Sequence, residues 1–152
     1  MPAFPSLEWL QALRDIVNSD PDFRKFGTID CDMGIEIGDT TYRVTFEAFE
    51  VTGVAAFETA DSEAPDPEAT DLHPELDFVL SMSPDRWREM IESINENGAA
   101  GLHYTLNTLD MEDPDNFARS PDYHRRDKFY RFNQTLQDFF DASARIDTTF
   151  PR

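Results

Sequence analysis

Lysine is nearly missing from this chain: only Lys25 and Lys128 stand among 13 basic residues, against 31 acidic ones, for a formal charge of −18 over 152 residues. Such a surface repels polyanions, which excludes unaided binding to nucleic acid or to anionic lipid headgroups. Cysteine occurs once, at position 31, so there is no intramolecular disulfide framework. Its neighbours Ile29, Met33 and Ile35 mark it as a buried small hydrophobe. Only six glycines are present, and none forms the Gly-rich phosphate loop of a P-loop or dinucleotide-binding unit. No apolar run approaches the roughly 20 residues that span a bilayer. The opening MPAFPSLEW has neither the basic nor the apolar region of a signal peptide, and TFPR at the other end matches no targeting signal. The expectation is a cytoplasmic protein without a transmembrane segment.

What is present in quantity is phenylalanine, 13 residues in a chain that is 12% aromatic and 39% hydrophobic. A chain of this length forms one domain over residues 1–152 and buries roughly 70% of its unfolded surface. Ser6 caps a helix from about Leu7 to Asn18 with Leu10, Leu13 and Val17 on one face, flanked by Trp9 and Ile16. From Ile29 to Ile37 every odd position is apolar and no even one is, the clearest strand in the sequence. Gly38-Asp39-Thr40 turns into a second strand carrying Tyr42, Val44, Phe46 and Ala48 on one side, and Val51 to Phe57 makes a third. Residues 58–75 hold seven acidic residues, no Lys or Arg, and three prolines, the composition of an acidic surface loop.

Leu76 to Met82 reads as a strand, and Ser83-Pro84 opens a helix with Trp87, Met90, Ile91 and Ile94 on one face, ending near Gly98. Leu102, Tyr104 and Leu106 alternate like a strand, although Leu102, Leu106 and Leu109 also fit a helix; a strand is expected here. Ser120-Pro121 repeats the cap-and-proline signal and opens the longest helix, to about Ala144, with Phe129, Phe132, Leu136, Phe139 and Phe140 on one stripe. The elements add up to an α+β domain, one sheet with helices packed on it.

Catalytic chemistry finds little support. None of Cys31, His73, His103 or His124 sits in the strained turn or beside the base that an activated nucleophile needs; only His103, between Leu102 and Tyr104, is placed to line a cavity. Asp110, Glu112, Asp113 and Asp115 cluster, yet they lack the central glycine and the closing glutamate of a calcium loop, and read as a solvated turn around Pro114. Asp30 and Asp32 sit on the polar side of their strand. No catalytic residue, metal or cofactor is expected. The basic residues Arg119, Arg125, Arg126, Lys128 and Arg131 gather near the last helix, where Asp122 with Arg126, Asp127 with Arg131 and Asp141 with Arg145 have i, i+4 spacing. Arg125 projects to the side of Phe129, Phe132 and Leu136, where it either meets a ligand carboxylate or phosphate or covers the core edge with its stem.

Several segments resemble the sterol carrier protein 2 family: Phe4-Pro5-Ser6 leading to Trp9 in a helix, the long hairpin from Ile29, LDFVLSMS running into SPDRWREMI, and the final DKFYRFNQTLQDFFDASA. The resemblance covers most of the chain in element order. It implies a mixed, mainly antiparallel sheet of about five strands covered by helices that enclose a tunnel for sterols, fatty acids or fatty acyl-CoA, with no catalytic residues. Residues 58–75 read as an insertion in that plan.

An apolar-ligand site is a concave space walled by apolar and aromatic side chains. The residues expected to form it are Trp87, Met90, Ile94, Arg125, Phe129, Phe132, Leu136, Phe139 and Phe140. The same stripes also describe a filled core. Two further readings stay open: an accessory subunit whose exposed aromatic face docks a metabolic enzyme or its own copy, and a small enzyme for a hydrophobic substrate using His103 or a buried Asp as base.

Overall fold

A computed structural model of the chain describes residues 2–21, 23, 30–48, 50–58, 76–113, 117–120 and 123–150, without the side chains of residues 57 and 58. Helix α1 (Leu7–Asn18) begins where the Ser6 side chain accepts a hydrogen bond from the Trp9 amide, and it buries Trp9, Leu10, Leu13 and Val17. Strands β1 (Cys31–Ile37) and β2 (Thr40–Glu47) pair antiparallel around Gly38, whose φ of 62° is the left-handed conformation that glycine adopts without strain. β3 (Glu50–Glu58) pairs antiparallel with β2. At its start the Asn18 side chain bonds both the amide and the carbonyl of Val51, at 2.8 and 2.9 Å, tying the end of α1 to the sheet edge. The acidic segment 59–75 lies outside the described residues, as does Ile29.

β4 (Phe78–Met82) lies parallel to β1 on the side away from β2. Helix α2 (Pro84–Asn97) follows as the Ser83-Pro84 signal anticipates, closes on left-handed Gly98, and buries Trp87, Met90, Ile91 and Ile94. The strand expected across Leu102–Leu106 is not there. A 3-10 turn (Leu102–Tyr104) leads into helix α3 (Leu106–Glu112), capped by the Thr105 hydroxyl. The helical period prevails because Leu106 and Leu109 are buried whereas Leu102 is 79% exposed. The fifth strand, β5 (Ala118–Arg119), is two residues long and pairs antiparallel with β4. The sheet order is β3-β2-β1-β4-β5, a mixed, mainly antiparallel sheet in an α+β fold.

The expected long helix is divided. α4 (Tyr123–Arg131) and α5 (Asn133–Asp141) meet at Phe132, whose φ of −102° and ψ of 16° leave the helical region, and a 3-10 turn (Ala142–Arg145) completes the run. Ser120 spends its hydroxyl on the Asp77 carbonyl at 2.6 Å. Asp127 and Arg131 pair as their spacing suggests. Arg145 instead reaches Asp20 at 2.8 Å, because Asp141 accepts from the Ala100 amide and the Gln137 side chain.

One face of the sheet, with Met33, Ile35, Val44, Phe46, Phe78 and Leu80, merges with the helix faces in a single core. The other face carries polar groups in register: Arg43 and Thr45 bond Asp32, and Arg119 and Ser81 bond Glu36. Gly34 belongs to that second face. A Cβ placed there would sit 2.8 Å from Leu76 Cδ1 and 2.9 Å from Val79 Cγ2. Gly34→Ala is therefore expected to destabilise the fold by about 1–3 kcal/mol through overpacking, seen as a lower urea midpoint with an unchanged m-value.

Candidate functional site

The two ends of the described chain close against each other over one end of the core. The Phe4 amide donates to the Thr149 carbonyl at 2.8 Å, and the Thr149 amide donates to Pro2 at 3.0 Å. Phe4 meets Trp9 and Phe150 edge to face, at 4.8 and 6.3 Å, and the Trp9 indole donates to Thr148 Oγ1 at 3.0 Å. Arg88 of α2 lies 5.4 Å over the Phe150 ring. This terminal clasp spans Pro2–Ser6 and Thr148–Phe150.

Beneath it is a small apolar gap. Phe4, Trp9 and Leu10 form one wall, Ile35, Ile37 and Tyr42 of the sheet another, and Trp87 and Phe140 the floor. The space is about 10 Å³ and partly open, roughly the room of one water centre. No charged side chain lines it. Tyr42 brings a phenol, whose pKa is pushed up by burial and further by the charge of Glu8, so it is neutral at physiological pH. A second, open groove of about 280 Å³ runs over β2 and β3 beside Arg43, Thr45, Thr52 and Gly53.

Of the nine residues singled out in the sequence, Trp87 and Phe140 wall the gap. Their rings stack at 5.9 Å with a 32° tilt, and the Trp87 indole donates to the Glu36 carbonyl at 2.8 Å. Met90, Ile94, Phe129, Leu136 and Phe139 are fully buried in the same core: Phe139 packs on Phe46 and Phe129 on Phe78. Phe132 is half-buried at the break between α4 and α5. Arg125 is drawn to the other side of the sheet end, where its Nε lies 3.1 Å from Asp77 and Lys128 joins the same carboxylate at 3.3 Å. Asp77 also accepts the Asp32 amide at 2.8 Å. The wall residues Phe4, Ile35, Ile37 and Tyr42 were visible only as faces of separate elements; their convergence joins the first residues of the chain to its middle and its end.

The groups considered for chemistry stand apart from the gap. His103 and His124 are exposed. Asp110 receives the Tyr130 hydroxyl and approaches Arg126. No group of three metal-ligating side chains occurs among the described residues. Cys31 is buried, and burial first, then the charge of Asp77, pushes its thiol far above the ordinary range. Iodoacetamide should therefore label Cys31 only after unfolding, as read by mass spectrometry of native and denatured protein. Trp87→Phe, which keeps the ring but removes the donor to Glu36, is expected to lower stability by about 1–3 kcal/mol, measured by circular dichroism in urea.

No family model matches the chain, and no curated protein matches it in sequence. Among solved structures it is similar to one described as "Crystal structure of sterol carrier protein 2", with a TM-score of 0.63 over 92% of this chain and 96% of the other. At 13% identity this is a likeness of fold: the five-stranded mixed sheet and its covering helices share that protein's architecture.

Proposed function

We propose that this chain is a non-catalytic binding protein for an apolar ligand, held at the gap beneath the terminal clasp. The observation that carries the reading is the gap itself, a space at the edge of the core whose walls are mainly aromatic and aliphatic and carry no charge. The likeness of fold to sterol carrier protein 2 supports it. Because the space is small, the ligand enters by displacing Phe4 and Phe150, whose clasp rests on two backbone hydrogen bonds, the Trp9 bond to Thr148 and ring contacts. Trp87 and Phe140 then face the ligand, with Phe139 packed on Phe140.

Ligand class follows from the same walls. A sterol or an uncharged acyl chain fits an apolar gap in a chain of charge −18; a fatty acyl-CoA would bring phosphates to a strongly acidic surface with no cation on the gap wall. Arg125 is engaged by Asp77 and takes no part in this binding.

Titration of the protein with a fluorescent sterol and a fluorescent uncharged acyl ester, read by energy transfer from Trp9 and Trp87, should give saturable one-to-one binding. A ligand at a hundredfold excess over its Kd stabilises by about 2.7 kcal/mol, which raises Tm by about 5 °C or more in a domain of this size. Leu10→Phe, which fills the gap, should abolish both signals. Absence of saturable binding together with an unchanged Tm would overturn the proposal.

A further inference from the structure

Among the residues that line the gap, Ser6, Trp9, Tyr42 and Trp87 carry a polar side-chain group. Three of these groups are already engaged. The Ser6 hydroxyl donates to the Ala3 carbonyl and accepts the Trp9 amide. The Trp9 indole donates to Thr148 Oγ1 at 3.0 Å, and the Trp87 indole donates to the Glu36 carbonyl at 2.8 Å. The Tyr42 hydroxyl alone has no hydrogen-bond partner among the described residues, although the residue is only 7% exposed.

That hydroxyl stands at the rim. Tyr42 pairs with Ile35 across β1 and β2, and both belong to the gap wall. The surface of the gap is wholly apolar, so the ring faces it and the oxygen does not. Nor is the oxygen sealed in the core as an unpartnered buried atom. A tyrosine whose ring is buried and whose oxygen reaches the boundary is the usual amphipathic placement of this side chain. Glu8 marks the same rim. It is exposed in the first turn of α1, next to the wall residues Trp9 and Leu10. Burial first, then the charge of Glu8, keeps the phenol protonated and able to donate. Arg88, which lies over Phe150 in the clasp, is held by Glu92 at 2.6 Å and does not offset Glu8.

A ligand whose apolar body enters the gap leaves its end at this rim. An uncharged oxygen there, a hydroxyl or an ester carbonyl, accepts the Tyr42 proton and gives the phenol its missing partner. A carboxylate accepts the same bond, but it lies beside the acid of Glu8 and sheds water with no cation on the gap wall to replace it. A hydrocarbon gains nothing from Tyr42. We infer that Tyr42 and Glu8 are the specificity-determining pair of this site: the ligand carries one uncharged oxygen group at its end, Tyr42 donates to that oxygen, and Glu8 turns away the corresponding carboxylate. The inference rests on the reading of the gap as a ligand site and adds to it the chemistry of the ligand's polar end.

Dodecanol, dodecanoate and dodecane, three molecules with one chain and different ends, test it when titrated at low salt and read by the intrinsic fluorescence of Trp9 and Trp87 in the gap wall. The native protein should bind dodecanol at least about tenfold more tightly than dodecanoate. Tyr42→Phe keeps the ring and removes one unpaired hydroxyl, so the fold is retained; it should weaken dodecanol about three- to tenfold and leave dodecane unchanged. Glu8→Gln, on an exposed side chain, should strengthen dodecanoate at least about threefold and leave dodecanol unchanged. Glu47→Gln removes the same charge at the far end of β2 and should alter none of the three, which separates a local effect from net charge. Dodecanol binding that Tyr42→Phe leaves intact, an equal loss of dodecanol and dodecane, or dodecanoate binding indifferent to Glu8→Gln overturns the inference while the gap remains a ligand site. Failure of all three molecules to bind the native protein overturns both.

Discussion

The indole of Trp87 joins four parts of the molecule. It belongs to α2, donates its one hydrogen bond to the Glu36 carbonyl of β1, stacks on Phe140 of α5, and lies 6.5 Å from Phe117 just before β5. A fully buried tryptophan must find an acceptor for its N–H, and the acceptor here is sheet backbone. That requirement fixes the height and the rotation of α2 over the sheet. With α2 fixed, Phe140 is placed, the core face of β1 is covered, and the space left between Trp87, the sheet and α1 becomes the apolar gap. The position that most constrains the fold is therefore also a wall of the proposed ligand site.

The opposite end of the sheet depends on charge rather than on a ring. Asp77 stands at the entry to β4 and gathers the Asp32 amide, Arg125 and Lys128, while its carbonyl takes the Ser120 hydroxyl. A carboxylate this buried, with a side chain only 11% exposed, is tolerated because it has paired donors on several sides. The basic residues near the last helix thus act inward, orienting α4 on the sheet. Phe129 then meets Phe78 and Phe117, and the outer side of α4 is left to carry Tyr123 and Tyr130.

Function in this fold rests on how completely the core is filled. Phenylalanine-rich stripes fill much of it, with Phe46 against Phe139 and Phe139 against Phe140. What remains is a narrow apolar gap under a clasp made of both chain ends. In the proposed binding a ligand gains apolar contact there by moving the clasp, which couples binding to the meeting of these two segments.

By itself the sequence determined the local elements: the odd-position alternation of β1, the Ser6 and Ser83 caps, Pro84 at the start of α2, and the apolar faces of α1, α2 and α5 all depend on neighbours a few residues apart. It also determined, through composition, a strongly anionic molecule with one buried thiol. Tertiary structure decided the rest. Leu102, Leu106 and Leu109 became a turn and a helix because only two of them found a core to enter, and the final helix broke at Phe132. β5 exists only because β4 offers an edge, since two residues carry no periodicity of their own. Arg125 turned from the phenylalanine stripe to Asp77, 48 positions earlier in the chain. The gap was equally hidden, because Phe4, Tyr42, Trp87 and Phe140 become neighbours only when the ends of the chain meet over its middle, and no local pattern records a contact between residues so far apart.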